Sequence, residues 1–270
     1  MKNIRVKDLE LEIGRPKIAV PITGVTHEEI MEQVIAAMET PCDMLEWRAD
    51  YYFSEMPELE EKVKNTAAHM EMIRILDDID YKTESMPLIF KIKGINQGGK
   101  LLLDRKHAYD LAALAAQSKL VDFVDMELLD DDDSFDAEQV LNQVNEIHKY
   151  GVKVIHSYHD FDDMPKLEQI ISLASNMRAL GADVVKICGT ASDTHDAKVM
   201  LEAAAQLTAG DQNPVILIAM GQPGIATRVA GGKYGSCISY GYCGESTAEG
   251  QFDVNTLSKL LDEYYGAKAD

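Results

Sequence analysis

Two hydrophobic patterns alternate along this chain of 270 residues. Short apolar runs rich in β-branched residues recur at intervals of about 25 to 45 residues, and after each run the apolar positions repeat with helical periodicity. Repeated strand–helix units of this kind build a sheet of parallel strands with helices on its faces. The runs occupy 17–22, 43–48, 87–93, 121–128, 152–158, 183–188, 214–220 and 236–242.

The number of runs favours one architecture over another. About eight parallel strands close into a (β/α)8 TIM barrel, whereas a doubly wound open sheet usually needs fewer. The first strand-to-helix junction, PITGVTHEE (21–29), also lacks the G-x-G-x-x-G of a dinucleotide-binding sheet. We therefore predict an α/β fold, a TIM barrel. Thr26 with Glu29 forms a capping box that predicts the start of the first helix, and Asp104 predicts the start of a helix reaching to Leu120.

The series of units fits one domain across residues 1–270, because no linker rich in Pro, Gly or Ser interrupts it. Residues 1–14 alternate like a short β-hairpin, 4–7 against 9–13, which would close the bottom of the barrel at the N-terminal ends of its strands. The loop at 241–251 is rich in Gly, Ser and Thr, and this composition suits an active-site lid as well as an idle connector.

The charge and the hydropathy of the chain restrict its partners. A net charge of −20 makes nucleic acids and anionic membrane surfaces poor candidates. A small anionic substrate would need a local cluster of Arg and Lys that reverses this field. The longest apolar run, 215–220, is far shorter than the roughly 20 residues of a membrane helix. Because the first residues also lack the pattern of a signal peptide, we expect a cytoplasmic protein.

No feature of the sequence predicts a metal site. The four cysteines form no C-x-x-C pair and are expected to be reduced thiols. Cys188 follows Lys186 by two residues, but a small residue that fills the core is favoured there over a reactive thiol. The consecutive carboxylates Asp130 to Asp133 are more typical of a solvated loop ahead of a helix than of a cation site.

Polar side chains at the ends of the predicted strands are the candidate site, because barrel enzymes carry their chemistry at the C-terminal ends of the strands. Glu46 and Arg48 end the second run two residues apart, so they share one face, and Trp47 between them should face the helices. Arg228 follows the seventh run and suits capture of a carboxylate, with a surface salt bridge as the alternative.

Lys186 and His159 are the candidate reacting groups. Burial of Lys186 in an apolar run disfavours its ammonium form and predicts a neutral amine able to attack a carbonyl; a structural ion pair with Asp or Glu is an alternative of equal weight. His159 ends the fifth run, either as a structural hydrogen-bonding group or as a general base. Because neighbouring strand ends lie about 5 Å apart, the two side chains could flank one substrate carbon.

Four strings, in order and at strand ends, resemble the type I 3-dehydroquinate dehydratase family: LEWRAD (45–50), SYHDF (157–161), GADVVKI (181–187) and R-x-A-G-x-x-Y-G-S-x-x-S-Y-G (228–241). The resemblance spans nearly the whole chain. It implies a shikimate-pathway lyase that removes water from 3-dehydroquinate by syn elimination to give 3-dehydroshikimate. It also implies that the reaction uses no metal or organic cofactor and that the protein is a homodimer.

The resemblance assigns a role to each matching residue. Lys186 matches the lysine that forms the Schiff base, and His159 matches the general acid and base. Glu46 and Arg48 match residues that hold the ring hydroxyls, while Arg228 matches the carboxylate clamp. The other substrate-binding matches are Met220 and Tyr240 in the wall, the latter usually Phe, and Thr247 and Gln251 in the lid, with Thr247 where Ser is common.

The end of the third strand departs from the family, which typically reads F-R-[ST]-x-x-E-G-G there. If the glycines align, Lys93 replaces the substrate-binding arginine and Gln97 replaces the glutamate that supports the histidine. Lysine keeps the charge without the planar fork, and glutamine cannot stabilise an imidazolium by charge. Two other hypotheses therefore stay open: a class I aldolase or another Schiff-base lyase, and a slow or non-catalytic protein that binds a cyclic hydroxy acid.

Overall fold

Parallel strands surround a central axis in the computed structural model, which describes residues 3–55, 66–84, 86–95, 98–101, 105–128, 135–210 and 212–267. The strands are β1 (Ile4–Val6), β2 (Leu9–Leu11), β3 (Lys17–Ile22), β4 (Met44–Arg48), β5 (Leu88–Lys91), β6 (Phe123–Glu127), β7 (Lys153–Asp160), β8 (Val184–Thr190), β9 (Val215–Met220), β10 (Ile238–Tyr242) and β11 (Phe252–Asp253). The α-helices are α1 (His27–Met38), α2 (Ala49–Ser54), α3 (Thr66–Thr83), α4 (Arg105–Ser118), α5 (Ala137–His148), α6 (Leu167–Ala179), α7 (Thr194–Thr208), α8 (Ala226–Ala230) and α9 (Val254–Tyr265). Within these ranges, short 3₁₀ helices span Gln222–Gly224 and Gly231–Tyr234.

Strands β3 to β10 form the predicted barrel. Strands β3 to β9 pair in chain order, each parallel to the next, and β10 pairs with β3. A bridge between Val215 in β9 and Ser236, just before β10, joins the two ends of the sheet. Next to it, the backbone N–H of Cys237 donates to the carbonyl of Val215 at 2.8 Å. The α/β barrel predicted from eight apolar runs is therefore confirmed, and β11 adds a short outer strand beside β10.

Helices cover the outer face of the barrel, because the outward-facing strand residues are apolar. The ring of Trp47 in β4 packs edge-on against Phe90 of β5, with centroids 5.6 Å apart, and also contacts Tyr52 of α2. Trp47 thus faces the helices, as the alternation on its strand predicted. Within the described ranges, no helix combines the length and the apolar composition that crossing a membrane requires.

The predicted start of the first helix is confirmed. Thr26 Oγ1 accepts a hydrogen bond from the backbone N–H of Glu29 at 3.2 Å, and the Glu29 carboxylate accepts one from Val25 N–H at 2.9 Å. The predicted helix start at Asp104 and the acidic run 130–133 lie outside the described residues. The short helix α2, directly after β4, was not predicted.

The N-terminal hairpin fills the bottom of the barrel, as predicted. Ile4 of β1 and Leu11 of β2 are paired antiparallel, and their side chains are 8% and 1% exposed. Both pack in one apolar cluster with inward-facing strand residues such as Phe123 and Ile238. This end of the barrel is therefore an apolar plug that separates the interior from water.

The barrel interior changes from apolar to charged along the strands. Its lower layer consists of Ala19, Met44, Ile89, Phe123, Ile155, Val184, Ile216 and Ile238. Side chains two positions further along a strand point to the same face. These second-layer residues are Pro21, Glu46, Lys91, Asp125, Ser157, Lys186, Ile218 and Tyr240. Four of them are Asp, Glu or Lys, so the fold concentrates charge in the C-terminal half of the barrel.

Candidate active site

A cavity lies at the C-terminal ends of the barrel strands. Ten of the eleven site residues predicted from the sequence line it; the eleventh, Gln97, lies outside the described residues. The lining residues are Pro21, Glu46, Arg48, Lys91, Lys93, His159, Phe161, Lys186, Cys188, Ile218, Met220, Arg228, Tyr240, Thr247, Ala248 and Gln251. Residues from distant parts of the chain therefore converge on one compartment.

Lys186 in β8 lies at the floor of this cavity, where its side chain is buried. Its Nζ donates to Asp125 Oδ2 at 2.9 Å, to the Tyr240 hydroxyl at 2.9 Å and to Glu46 Oε2 at 3.3 Å. Burial alone would lower the pKa of Lys186, but the carboxylates of Asp125 and Glu46 outweigh it and raise that pKa well above its ordinary value. The ion pair that the sequence left open as the alternative to a neutral amine is therefore present, and it stabilises the ammonium form.

Asp125 in β6 joins two lysines beneath the cavity. Its Oδ1 accepts from Lys91 Nζ at 2.5 Å and from the Ser157 hydroxyl at 2.5 Å, while Oδ2 accepts from Lys186. Burial alone would raise the pKa of Asp125, but the Lys186 and Lys91 ammonium groups hold it well below its usual range. A buried carboxylate held in this way is a permanent counter-charge, because protonating it would leave two buried cations without compensation.

Lys93 follows β5 and is the second amine exposed to the cavity. Its Nζ lies 4.9 Å from the centroid of the Phe161 ring. Burial, together with the positive charges of Lys91, Arg48 and Lys186, lowers the pKa of Lys93 to about 7. Gly99 approaches so closely that a Cβ there would collide with the carbonyl oxygen of Lys93, so the double glycine allows the following turn to fold back beside this lysine.

His159 extends from β7 into the same cavity as Lys186. In the register between the two strands, Ser157 pairs with Lys186 and His159 pairs with Cys188. His159 therefore lies two positions further than Lys186 toward the C-terminal end of the barrel. The His159 ring stacks on Phe161 at an interplanar angle of 10° and a centroid distance of 6.1 Å. Burial and the neighbouring lysines, Lys93 first, lower the pKa of His159 well below its ordinary value. The imidazole is therefore neutral near pH 7 and able to accept a proton.

Glu46 and Arg48 share the inner face of β4, as their spacing predicted. Glu46 accepts hydrogen bonds from both Lys186 and Tyr240. The Arg48 guanidinium donates Nε and Nη2 to the two carboxylate oxygens of Asp50, at 2.7 and 2.8 Å, and both side chains are buried. This bidentate pair raises the pKa of Arg48 despite its burial and fixes the orientation of its guanidinium plane.

Arg228 and Gln251 supply further buried donors to the cavity. Arg228 is 2% exposed, and its Nη2 donates to the carbonyl of Glu249 at 3.1 Å. Gln251 uses its carbonyl oxygen to accept from the backbone N–H and the hydroxyl of Thr247. Among the described residues, Arg228 Nε and Gln251 Nε2 are buried nitrogens without an acceptor. Because a buried unpaired donor is unfavourable, this part of the cavity is complementary to an anionic group.

Lys91, Asp125 and Ser157 belong to the site, and the sequence reasoning missed them. These three lie in the same layer of the barrel as Glu46 and Lys186: Asp125 and Ser157 within β6 and β7, and Lys91 at the end of β5. A signal was present: Lys91 and Lys93 are two residues apart in LIFKIK, and Asp125 interrupts the apolar residues of FVDME. Charged residues at inward positions of a buried strand require partners, which predicts an internal ion-pair network.

The cavity is cationic although the whole chain carries a net charge of −20. Arg48, Lys91, Lys93, Lys186 and Arg228 line it together with the single carboxylate of Glu46. The described part of the chain contains no group of three or more His, Cys, Asp or Glu residues arranged to hold a metal ion. The five basic residues that line the cavity form the local cluster needed to attract a small anion.

Comparison with known proteins identifies the family. The family profile described as Type I 3-dehydroquinase matches residues 18–268. The chain belongs to this family. Type I 3-dehydroquinases are hydro-lyases, so the chain is an enzyme of that class.

Relatives of known name agree with this assignment over almost the full length. A 3-dehydroquinate dehydratase of Clostridium kluyveri is 34% identical over 259 residues, which are 96% of each chain. One from Listeria welshimeri is 32% identical over 262 residues, 97% of this chain and 98% of the relative. A crystal structure of type I 3-dehydroquinate dehydratase from Clostridium difficile, solved with covalently modified comenic acid, covers 98% of both chains at 30% identity with a TM-score of 0.85.

Proposed function

We propose that this member of the type I 3-dehydroquinase family converts 3-dehydroquinate to 3-dehydroshikimate by syn elimination of water, with Lys186 as the Schiff-base lysine and His159 as the general acid and base. Lys186 Nζ would condense with the substrate ketone and release water. The resulting iminium withdraws electrons and acidifies the neighbouring C–H bond. The neutral His159 imidazole would take that proton and deliver it to the departing hydroxyl. Hydrolysis of the product imine then regenerates the lysine.

The observation that carries this proposal is the convergence of Lys186 and His159 on one buried cavity. The lowered pKa of His159 supports its role, because a neutral imidazole is the form that accepts the proton. The unpaired donors Arg228 Nε and Gln251 Nε2 support binding of the substrate carboxylate beside them. With its carboxylate held there, the ring would extend toward the amine, with Glu46 and Arg48 beside its hydroxyls.

Lys93 is the competing nucleophile. Its pKa of about 7 makes a neutral amine available near neutral pH, whereas Lys186 is held as an ammonium ion. The position of Lys186 nevertheless favours it, because its Nζ contacts Glu46 and Tyr240, which can move a proton, and Lys93 Nζ lies over the apolar face of Phe161. We therefore propose that Lys93 binds a substrate hydroxyl, in the place where the family usually has arginine.

An ultraviolet assay of the conjugated enone product tests the proposal directly. Lys186→Met should abolish turnover, and His159→Asn should slow it by about 10²- to 10⁴-fold, the usual contribution of a general base. Lys198→Met, on the exposed face of α7, is the matched control and should keep full activity. Binding of 3-dehydroquinate without any product would instead support a non-catalytic protein, and turnover of an aldol donor alone would support an aldolase.

We also propose that the enzyme acts as a homodimer in the cytoplasm, which family membership supports. Light scattering during gel filtration should then give twice the chain mass of 29.9 kDa. A mass of one chain at all working concentrations would contradict the dimer.

A further inference from the structure

The reacting amine of Lys186 has to lose a proton before it can attack a ketone. Only the neutral amine has the lone pair that forms the carbon–nitrogen bond. In this protein the amine contacts two carboxylates and is stabilised as an ammonium ion. The mechanism therefore needs a group that takes the proton from Lys186 inside the closed barrel.

Tyr240 connects the amine to a proton acceptor. Lys186 Nζ donates to the Tyr240 hydroxyl at 2.9 Å, and that hydroxyl donates to Glu46 Oε2 at 2.9 Å. The direct contact between Lys186 Nζ and the same carboxylate oxygen is longer, at 3.3 Å. The three groups come from β8, β10 and β4 and are all buried, so the hydroxyl is held between donor and acceptor by the barrel itself.

Asp125 is a poor acceptor for this proton, although it lies 2.9 Å from Lys186 Nζ. Its other oxygen already accepts from Lys91 and Ser157. Protonating Asp125 would remove the counter-charge of the buried Lys91 ammonium, which is strongly unfavourable. Moving the proton from Lys186 to Glu46 instead converts a buried ion pair into two neutral groups and leaves the Lys91–Asp125 pair intact.

We propose that Tyr240 is a catalytic residue that relays the proton of the Lys186 ammonium to Glu46. Lys186 Nζ gives one proton to the Tyr240 oxygen while the Tyr240 hydroxyl gives its own proton to Glu46 Oε2. The tyrosine ends unchanged, the amine is neutral and Glu46 is a carboxylic acid. The amine then attacks the ketone, and a proton moves from nitrogen to oxygen to give a carbinolamine. Glu46 finally protonates the hydroxyl that leaves as water, and the iminium forms.

This relay rests on the proposed Schiff-base function, and other titratable groups surround it. They come from six strands and from α8: Glu46 and Arg48 of β4, Lys91 and Lys93 at the end of β5, Asp125 of β6, His159 of β7, Cys188 of β8, Tyr240 of β10 and Arg228 of α8. An internal transfer between Lys186 and Glu46 changes no net charge and releases no proton to solvent. The deprotonation of Lys186 should therefore add no pH dependence to the rate of imine formation, so the wild-type profile, which includes the titration of Lys93, is the reference for each variant.

Tyr240→Phe tests the relay because it removes the hydroxyl alone. The rate of imine formation is measured by mixing enzyme with 3-dehydroquinate and quenching with borohydride at successive times. Mass spectrometry of the intact protein then gives the fraction that carries the reduced adduct. At pH 7 the variant should form the adduct about 10- to 100-fold more slowly, at the lower end of general acid–base effects because the direct contact to Glu46 remains. Its rate relative to the wild type should rise with pH, because solvent hydroxide then has to remove the proton.

Tyr150→Phe is the matched control, since Tyr150 also donates a hydrogen bond from its hydroxyl, to Glu146 at the opposite end of the barrel. It should keep the wild-type rate and the wild-type pH profile. Glu46→Gln removes the acceptor and should also give a rate of imine formation that rises with pH relative to the wild type. This variant tests the relay if Tyr240→Phe fails to fold. In the Glu46→Gln background, adding Tyr240→Phe should change the rate of imine formation no further.

The outcomes separate the relay from the function on which it rests. If the wild-type protein forms no adduct and no product, the proposed Schiff-base function is wrong. If the wild type forms the adduct, but Tyr240→Phe forms it at the same rate with the same pH profile, the function stands and the relay is overturned. If the effects of Tyr240→Phe and Glu46→Gln on the rate of imine formation multiply in the double variant, the relay is overturned as well.

Discussion

Asp125 compensates the charge of two lysines that line the cavity. It is the shared counter-ion of Lys91 and Lys186, and all three side chains are almost fully buried. Removing one partner of a buried ion pair is far more unfavourable than losing a surface pair, because the remaining charge has no solvent to stabilise it.

Asp125→Asn should therefore lower the free energy of unfolding by about 3 to 5 kcal/mol, measured by urea denaturation at pH 7. The same change at Asp193, the exposed N-cap of α7, is the control, since asparagine caps a helix as well as aspartate does. Equal effects of the two substitutions would mean that Asp125 is not the counter-ion of the lysines.

Lys93 links the stability of the fold to pH. Its pKa is about 7 in the folded protein and near the ordinary 10.5 once the chain unfolds. Between these values the unfolded chain binds more protons than the folded one, so this group makes stability rise with pH. Below about pH 7 the lysine is charged in both states, and its full desolvation penalty applies.

Lys93→Met should consequently stabilise the protein more at pH 7 than at pH 10. The quantity to compare is the difference in unfolding free energy between variant and wild type at each pH, from urea denaturation. Lys198→Met, on the exposed face of α7, should show no such dependence. A difference that is the same at both pH values would contradict the lowered pKa of Lys93.

The sequence could identify Lys186 as a candidate but not its charge state. The two carboxylates that hold its proton, Glu46 and Asp125, lie 140 and 61 residues away along the chain. Only closure of the barrel brings them within 3.3 Å of the amine. The apolar run around Lys186 showed that the residue is buried, and burial predicts a lowered pKa. The sequence did not show the carboxylates that raise this pKa instead.

The elements of the barrel were predictable to different degrees. The strands were visible because short apolar, β-branched runs differ from the helical periodicity that follows them. Helix α2 was not predicted, because ADYYFS is six residues long and shows less than two turns of a helical pattern. The hairpin β1–β2 was visible from its alternation, and its buried residues confirm the expected plug.

A substitution that weakens the packing of the N-terminal hairpin should lower the stability of the protein without changing its turnover. Leu11→Ala should lower the free energy of unfolding by about 2 to 5 kcal/mol, because Leu11 is 1% exposed in the lower apolar layer. Ile13→Ala, at a residue that is 46% exposed, should change it by less than about 0.5 kcal/mol. The turnover of folded Leu11→Ala enzyme should equal that of the wild type, and a large loss would contradict the separation of plug and active site.

The whole molecule is an acidic shell around a cationic cavity. The net charge of −20 repels anionic polymers and surfaces, while the basic residues that line the cavity attract one small anion into the barrel. The charge of the chain was readable from its composition. The reversal of sign inside the barrel was not, because it depends on which strands bring Arg48, Lys93 and Arg228 together.

We propose that residues 1–270 form one domain, and closure of the sheet between β9 and β10 supports this, because the barrel is complete only when its first and last strands are both in place. Calorimetry and circular dichroism should then report one thermal transition at the same midpoint. Two separated transitions would contradict a single domain.

Mapping the borohydride-trapped adduct tests the central claim most directly, because three lysines line the cavity. After reduction in the presence of 3-dehydroquinate, digestion and mass spectrometry should find the substrate mass on the peptide that contains Lys186, and Lys186→Met should lose it while Lys93→Met keeps it. An adduct on Lys93 or Lys91, or none while product still forms, would contradict the account.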